Sequence, residues 1–216
     1  MFASDALSIR SRTLTYPKMK QFKTITSTYI PLPIENVDTD QIIPARFLKA
    51  TTREGFGENL FADWRYDEAG NPKQEFILND STYQGEILVA GKNFGSGSSR
   101  EHAAWAVADY GFRVVISSFF ADIFQNNALN NGILPVVVSP DFLNKLFRAS
   151  KENPKHTLTV NLEKQTVCLD SSGCTEVFAI NPYKKQCLLQ GMDDIDLLLL
   201  NQSKIETYEK VRPWSY

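Results

Sequence analysis

Cysteine and histidine are scarce in this 216-residue chain: three of the first, Cys168, Cys174 and Cys187, and two of the second, His102 and His156. A structural zinc takes four ligands, usually with a close Cys-x-x-Cys pair, whereas gaps of five and twelve residues separate the cysteines here. Thr166-Val167-Cys168-Leu169 reads as a strand and Gln186-Cys187-Leu188-Leu189 as an apolar helix face. Small buried hydrophobes therefore account for these cysteines, and an unpaired set of three suits a reducing cytoplasm. Net charge is thin as well. The 23 basic and 25 acidic side chains leave −2 at pH 7, without the basic excess of a general nucleic-acid binder. Apolar runs stop at about four residues, as in Leu197 to Leu200, far short of the ~20 that span a bilayer. What remains is 43% hydrophobic and 22% charged, enough for one domain with its own core.

Residues 1–18 stand apart, with Arg10, Arg12 and Lys18 against the single acid Asp5 and no apolar run. They read as a leader outside the fold, disordered or not native, with Met19 as the effective start; the weaker alternative is an organellar transit peptide, and a secretory signal is not expected. The domain is then 19–216. Strand patterns occur at Lys23 to Ile30, ended by Pro31 and Pro33, and at Glu86 to Ala90, Arg113 to Ser117 and Leu134 to Val138. Helix patterns occupy Arg100 to Tyr110, Ala121 to Asn131 and Asp141 to Ser150. Three further strands, at Leu158 to Leu162, Thr166 to Leu169 and Glu176 to Ile180, precede helices at Tyr183 to Gln190 and Asp193 to Lys204. Alternating strands and helices followed by a β-rich section predict an α/β core.

The most informative segment is Gly91-Lys92-Asn93-Phe94-Gly95-Ser96-Gly97-Ser98-Ser99-Arg100-Glu101-His102. It joins a strand to a helix, where main-chain N–H groups and the helix dipole favour an anion. Gly95 and Gly97 permit sharp turns and close approach to a ligand. No Walker, dinucleotide or esterase-elbow spacing fits it. Ser98-x-x-Glu101 has the spacing of a capping box, which alone explains those two residues. Two serines, an arginine, a histidine and two glycines exceed what a cap requires, and the fork of Arg100 matches a carboxylate.

A second polar knot is Asn36-Val37-Asp38-Thr39-Asp40-Gln41-Ile42-Ile43-Pro44. Its two aspartates either cap a turn or orient an arginine or metal. The long stretch that follows carries Phe47, Leu48, Phe56, Leu60, Phe61 and Trp64, and it reads equally as a lid or partner surface and as a satellite core.

Asn36 to Pro44 and Asn93 to His102 resemble the two signatures of the isopropylmalate dehydratase small-subunit family, in the aconitase superfamily. Tyr110-Gly111-Phe112 and Phe120-Ala121-Asp122-Ile123-Phe124, with Asn126-Asn127 after it, fit the same family. The likeness runs from about Met19 to the C-terminus. It implies the three-layer β/β/α swivelling domain, an α/β fold, and a place in leucine biosynthesis. It also implies a large partner subunit carrying a 4Fe-4S cluster, with no cofactor on this chain. Ser98 falls on the family's serine base. Ser99, Arg100 and Gly97, with Thr39 and Asp40 of the other signature, fall on substrate-binding positions. A further substrate arginine has no secure counterpart, Arg46 and Arg53 being candidates. Ser96 stands where many relatives have cysteine, at a position that is neither base nor ligand.

The implied reaction moves a hydroxyl between adjacent carbons of isopropylmalate, a small dicarboxylate, by dehydration and rehydration. A serine base needs its alkoxide stabilised, as N–H groups at a helix start do, while the partner's iron serves as Lewis acid. The apolar loop from Phe47 to Trp64 is expected to take the isopropyl group or cover the partner. Two rivals remain: a related hydro-lyase subunit acting on methylmalate or homoaconitate, and a non-catalytic carboxylate-binding module.

Overall fold

The computed structural model describes residues 19–49, 52–97 and 100–212; the leader, Ser98 and Ser99 lie outside the described residues. In chain order the elements are β1 (Thr24–Leu32), α1 (Thr39–Ile42), α2 (Ala62–Arg65), β2 (Ile87–Ala90), α3 (Glu101–Tyr110), β3 (Val114–Ser117), α4 (Asp122–Asn130) and β4 (Leu134–Val137). They continue with α5 (Pro140–Glu152), β5 (Thr157–Asn161), β6 (Thr166–Leu169), β7 (Cys174–Val177), α6 (Pro182–Gln190), α7 (Asp194–Leu200) and α8 (Gln202–Lys210).

All seven strands join in the order β4-β3-β2-β1-β5-β6-β7. β1 divides its pairing between two partners. Thr24 to Thr28 runs antiparallel to β5, and Tyr29 to Leu32 runs parallel to β2. That division explains why Pro31 does not end the strand, as its sequence predicts. Pro31 pairs with Val89 of β2 only, beyond the last β5 partner, so its missing N–H costs no bond on the β5 side.

β2 is apolar throughout, β3 is apolar up to its last residue Ser117, and both are buried on both faces, as parallel strands between two layers must be. Leu88, Ala90 and Val115 face a core built with Ala103, Ala104 and Val107 of α3. Ile87, Val89, Val114 and Ile116 face the other core, which they share with Leu158, Val160, Val167 and Leu169 of the antiparallel strands and Phe142 and Leu146 of α5. The sheet thus curls over itself, giving the three-layer β/β/α arrangement.

Two terminal elements differ from their sequence patterns. β7 starts at Cys174 rather than Glu176, because Gly173 takes a left-handed conformation that closes a tight hairpin and pairs Leu169 with Cys174. The helix expected over Asp193 to Lys204 is two helices. Asn201 Nδ2 donates to Leu197 O at 2.9 Å, capping α7 and stopping its backbone from continuing.

The loop from Phe47 to Trp64 is mainly core. Phe56, Leu60 and Phe61 are buried with α3, and Phe47, Leu48 and Trp64 pack against them. Phe61 and Trp64 stack with ring centroids 5.4 Å apart. Phe56, Leu60 and Phe61 follow the satellite-core reading, while Phe47, Leu48 and Trp64 are half-buried. An uninterrupted apolar core outcompetes exposure of such large side chains.

Candidate active site

The two polar motifs meet main chain to main chain. Asn36 N donates to Lys92 O at 2.8 Å, and Gly95 N and Ser96 N donate to Val37 O at 2.8 and 3.1 Å. Thr39 N returns a bond to Ser96 O at 2.8 Å, completing a parallel bridge between Asp38 and Ser96. Asn93 Nδ2 adds a bond to Asn36 Oδ1 at 2.9 Å.

Asp38 is the N-cap of α1. It accepts from Gln41 N at 2.8 Å while Gln41 Oε1 accepts from Asp38 N at 2.9 Å, a full capping box. Of the two roles open to the aspartates, Asp38 therefore caps and Asp40 reaches across. Asp40 forms an ion pair with Arg100 through Nη1. Thr39 is buried in the first turn.

Two glycines carry the loop's shape. Gly95 has φ 79°, and a Cβ there would lie 2.3 Å from Phe124, so only glycine fits. Gly97 has φ 91° and sits against Asp38 and Thr39, where a Cβ would lie 3.4 Å from the Asp38 Cβ.

The capping box read from Ser98 and Glu101 falls on Ser98, outside the described residues. Arg100 is the N-cap residue of α3, and Glu101 opens the helix instead of holding its third position. The Glu101 carboxylate accepts from Trp105 Nε1 at 3.1 Å and from Arg53 at 3.4 Å. Arg53 also lies over the Trp105 ring, 4.9 Å from its centroid. Of the two further arginines, Arg53 stands beside the start of α3, whereas Arg46 pairs with Asp63 at 2.5 Å. Arg53 was not resolvable from sequence; the four-residue spacing of Glu101 and Trp105 on one helix face was its only trace. His102 stacks among Trp105 and Phe56, with centroids 4.5 and 5.7 Å away, on the packed side of the helix.

The result is a cation with most of its surface covered. The Arg100 side chain is 18% exposed and its partner Asp40 54%. Around it lie the positive end of a ten-residue helix and a loop whose backbone approaches closely. This arrangement is chemically fit for a small carboxylate. Among the described residues, no group of three or more His, Cys, Asp and Glu side chains could hold a metal ion. The described residues therefore offer no donor set for an iron–sulfur cluster.

The aconitase C-terminal domain model matches residues 19–141. A 3-isopropylmalate dehydratase small subunit from Azobacteroides pseudotrichonymphae is 62% identical over 193 residues, covering 89% of this chain and 98% of the relative. One from Cytophaga hutchinsonii is also 62% identical, covering 89% and 96%. A crystal structure of a 3-isopropylmalate dehydratase from Methanocaldococcus jannaschii superposes with a TM-score of 0.61 at 25% identity, over 87% of this chain and 99% of that one. The chain belongs to the aconitase C-terminal domain family, among the small subunits of 3-isopropylmalate dehydratase.

Proposed function

We propose that this chain is the small subunit of a 3-isopropylmalate dehydratase. Such a hydro-lyase interconverts 2- and 3-isopropylmalate and is active only with its large subunit. The observation that carries the reading is the Asp38–Ser96 bridge, which joins the two polar motifs into one site around Arg100. Close identity to curated small subunits supports it.

In this mechanism Arg100 holds a substrate carboxylate. Its guanidinium carries five N–H donors, and Asp40, bound at Nη1, keeps the fork oriented. Gly97 and Thr39 line the same substrate position, to which the family signature also assigns Ser99, and Arg53 lies close enough to α3 to take a second carboxylate. Ser98 is the base: its Oγ takes the proton from the substrate carbon and gives one back on rehydration. The positive end of α3 favours the alkoxide form that this requires. Departure and return of hydroxide need an electrophile, and in this reading the large subunit supplies it, on a 4Fe-4S cluster of its own.

A reducing cytoplasm is the setting we propose, supported by three free cysteines. No helix among the described residues is long and apolar enough to cross a membrane.

The test is isomerase activity of the purified chain mixed with a large subunit from a relative whose small subunit is 62% identical, with methylmalate and homoaconitate as competing substrates. Activity on isopropylmalate only in the mixture is the expected result. Preference for another substrate would reassign the specificity, and no activity with any would overturn the reading.

A further inference from the structure

The last two helices keep their apolar side chains outside. In α7, Ile195, Leu198 and Leu199 fall on one face and Leu200 is exposed beside them at the helix end; in α8 and just after it come Ile205, Tyr208 and Val211. These seven side chains are between 41% and 73% exposed. Neither helix contains a buried residue. Helices of seven and nine residues are marginal alone in water, because helical stability in proteins comes mainly from packing an apolar face. Among the described residues, neither core cluster includes a side chain of this pair.

The arm is nonetheless anchored at its root. Lys184 Nζ donates to both carboxylate oxygens of Asp194 at 2.7 and 2.8 Å, and to Asn130 Oδ1 at 2.7 Å. Asn130 is the last residue of α4. The other end of α4 rests on the candidate active loop, where Ala121 N donates to Phe94 O and Phe124 packs on Gly95. A nine-residue helix is about 13 Å long, so one helix length separates loop from arm. The outward face of α4 shows Asp122, Asn126 and Asn130 at four-residue steps, all exposed. Beside it runs a groove of about 430 Å³ lined by Asn126, Leu129, Tyr183 and Lys184.

We propose that the α7–α8 arm is a docking surface for the large subunit, whose contact runs from the active loop along α4 to the arm. The inference rests on the reading of this chain as a small subunit. Seven large side chains so exposed present an area on the order of 800 Å², the share each partner contributes to a standard interface. That exceeds the patch a typical monomer leaves uncovered. A second copy of this chain seated on the arm has no cause to extend to the active loop. A partner that completes the active site has one.

The test uses the full chain with Leu198→Glu and Tyr208→Glu combined, titrated into the large subunit of the relative with a 62% identical small subunit. Binding is read by sedimentation and by activity. The Kd for the large subunit should rise by about 100-fold or more, as for two central apolar contacts. The melting temperature of the isolated variant should move by less than about 3 °C, since both sites are exposed. At saturating large subunit, kcat should match the unsubstituted chain. An unchanged Kd overturns the proposal, as does a large fall in melting temperature, which would make the arm part of the core. So does a homodimer of the unsubstituted chain that the substitutions abolish while affinity for the large subunit stays the same. If the unsubstituted chain itself neither binds nor activates the large subunit, the small-subunit reading fails first, and that outcome is distinct from the others.

Discussion

Arg100 and Asp40 lie 60 residues apart in sequence and share an ion pair, the first as the N-cap residue of α3, the second in the first turn of α1. Through this pair the side chains of the two motifs act as one unit, over a main-chain frame already held by the Asp38–Ser96 bridge. Arg100→Lys keeps the charge but loses the planar fork. The KM for isopropylmalate should rise about tenfold or more, the value of one charge-assisted bond. Asp40→Asn should raise KM less and shift stability by under about 1 kcal/mol, because the Asp40 side of the pair is 54% exposed and screened by solvent. Steady-state kinetics of the reconstituted pair, with thermal melts, reads both. Equal effects of the two substitutions would show that Asp40, too, binds substrate.

Ser98 separates a base from a cap. The helix begins at Glu101 with Arg100 as its N-cap, so Ser98→Ala should leave the melting temperature nearly unchanged. As the base, its loss should lower kcat about 100-fold or more while KM changes little. Ser98→Gly should match it. A near-normal kcat in either variant would remove Ser98 from the chemistry.

Gly95→Ala should be among the most damaging single-atom additions in the chain. The left-handed backbone costs roughly 1–2 kcal/mol for any other residue, and overpacking against Phe124 roughly 1–3 more. Gly55→Ala is the control: its φ is 74°, but nothing lies within 4 Å of the added carbon, so only the backbone cost applies. Denaturant unfolding of the two variants should differ accordingly, and similar losses would mean that Phe124 moves aside freely.

Tyr29 supplies a test in alkali. Burial, with Tyr83 nearby, pushes its phenol up to about 12, and its hydroxyl donates to Leu146 O at 2.8 Å. The neutral form is the one the fold favours. Its contribution to stability is therefore complete below the unfolded value near 10 and is lost as pH rises from there through about 12. Ultraviolet titration should show a tyrosine that ionises late, missing in Tyr29→Phe, whose stability should fall less steeply over that range. Identical titration curves would place the late phenol elsewhere.

The parts legible in the sequence were those set by local rules. β2, β3 and α3 are marked by apolar runs, an alanine-rich face and a terminal Gly111, and the loop between Gly91 and Gly97 by its glycines. The parts that were not depend on partners far along the chain. Pro31 reads as a terminator until β5 is seen to leave β1 before reaching it. Nothing local to Glu101 shows that its carboxylate also accepts from Arg53, 48 residues earlier in the chain. Asp38 and Asp40 look equivalent at a spacing of two, and only the turn of α1 sends one to its own backbone and the other to Arg100. The inward set of Phe56, Leu60 and Phe61 was one of two open readings, decided by the close approach of Gly57 to Tyr110, where a Cβ would lie 2.4 Å from the main-chain nitrogen.

The divided pairing of β1 fixes an order of events on the ribosome. The parallel partner β2 emerges after some sixty residues, but Thr24 must wait 137 residues for Asn161. At about 5–20 residues per second of synthesis, the first half of β1 stands without its neighbour for on the order of ten seconds. During that interval its ladder groups and the apolar face that β5 and β6 will cover are open to any other nascent chain. Closure of this kind is slow and non-local, so faster translation of the segment up to Asn161 should shorten the exposed interval and raise the soluble yield.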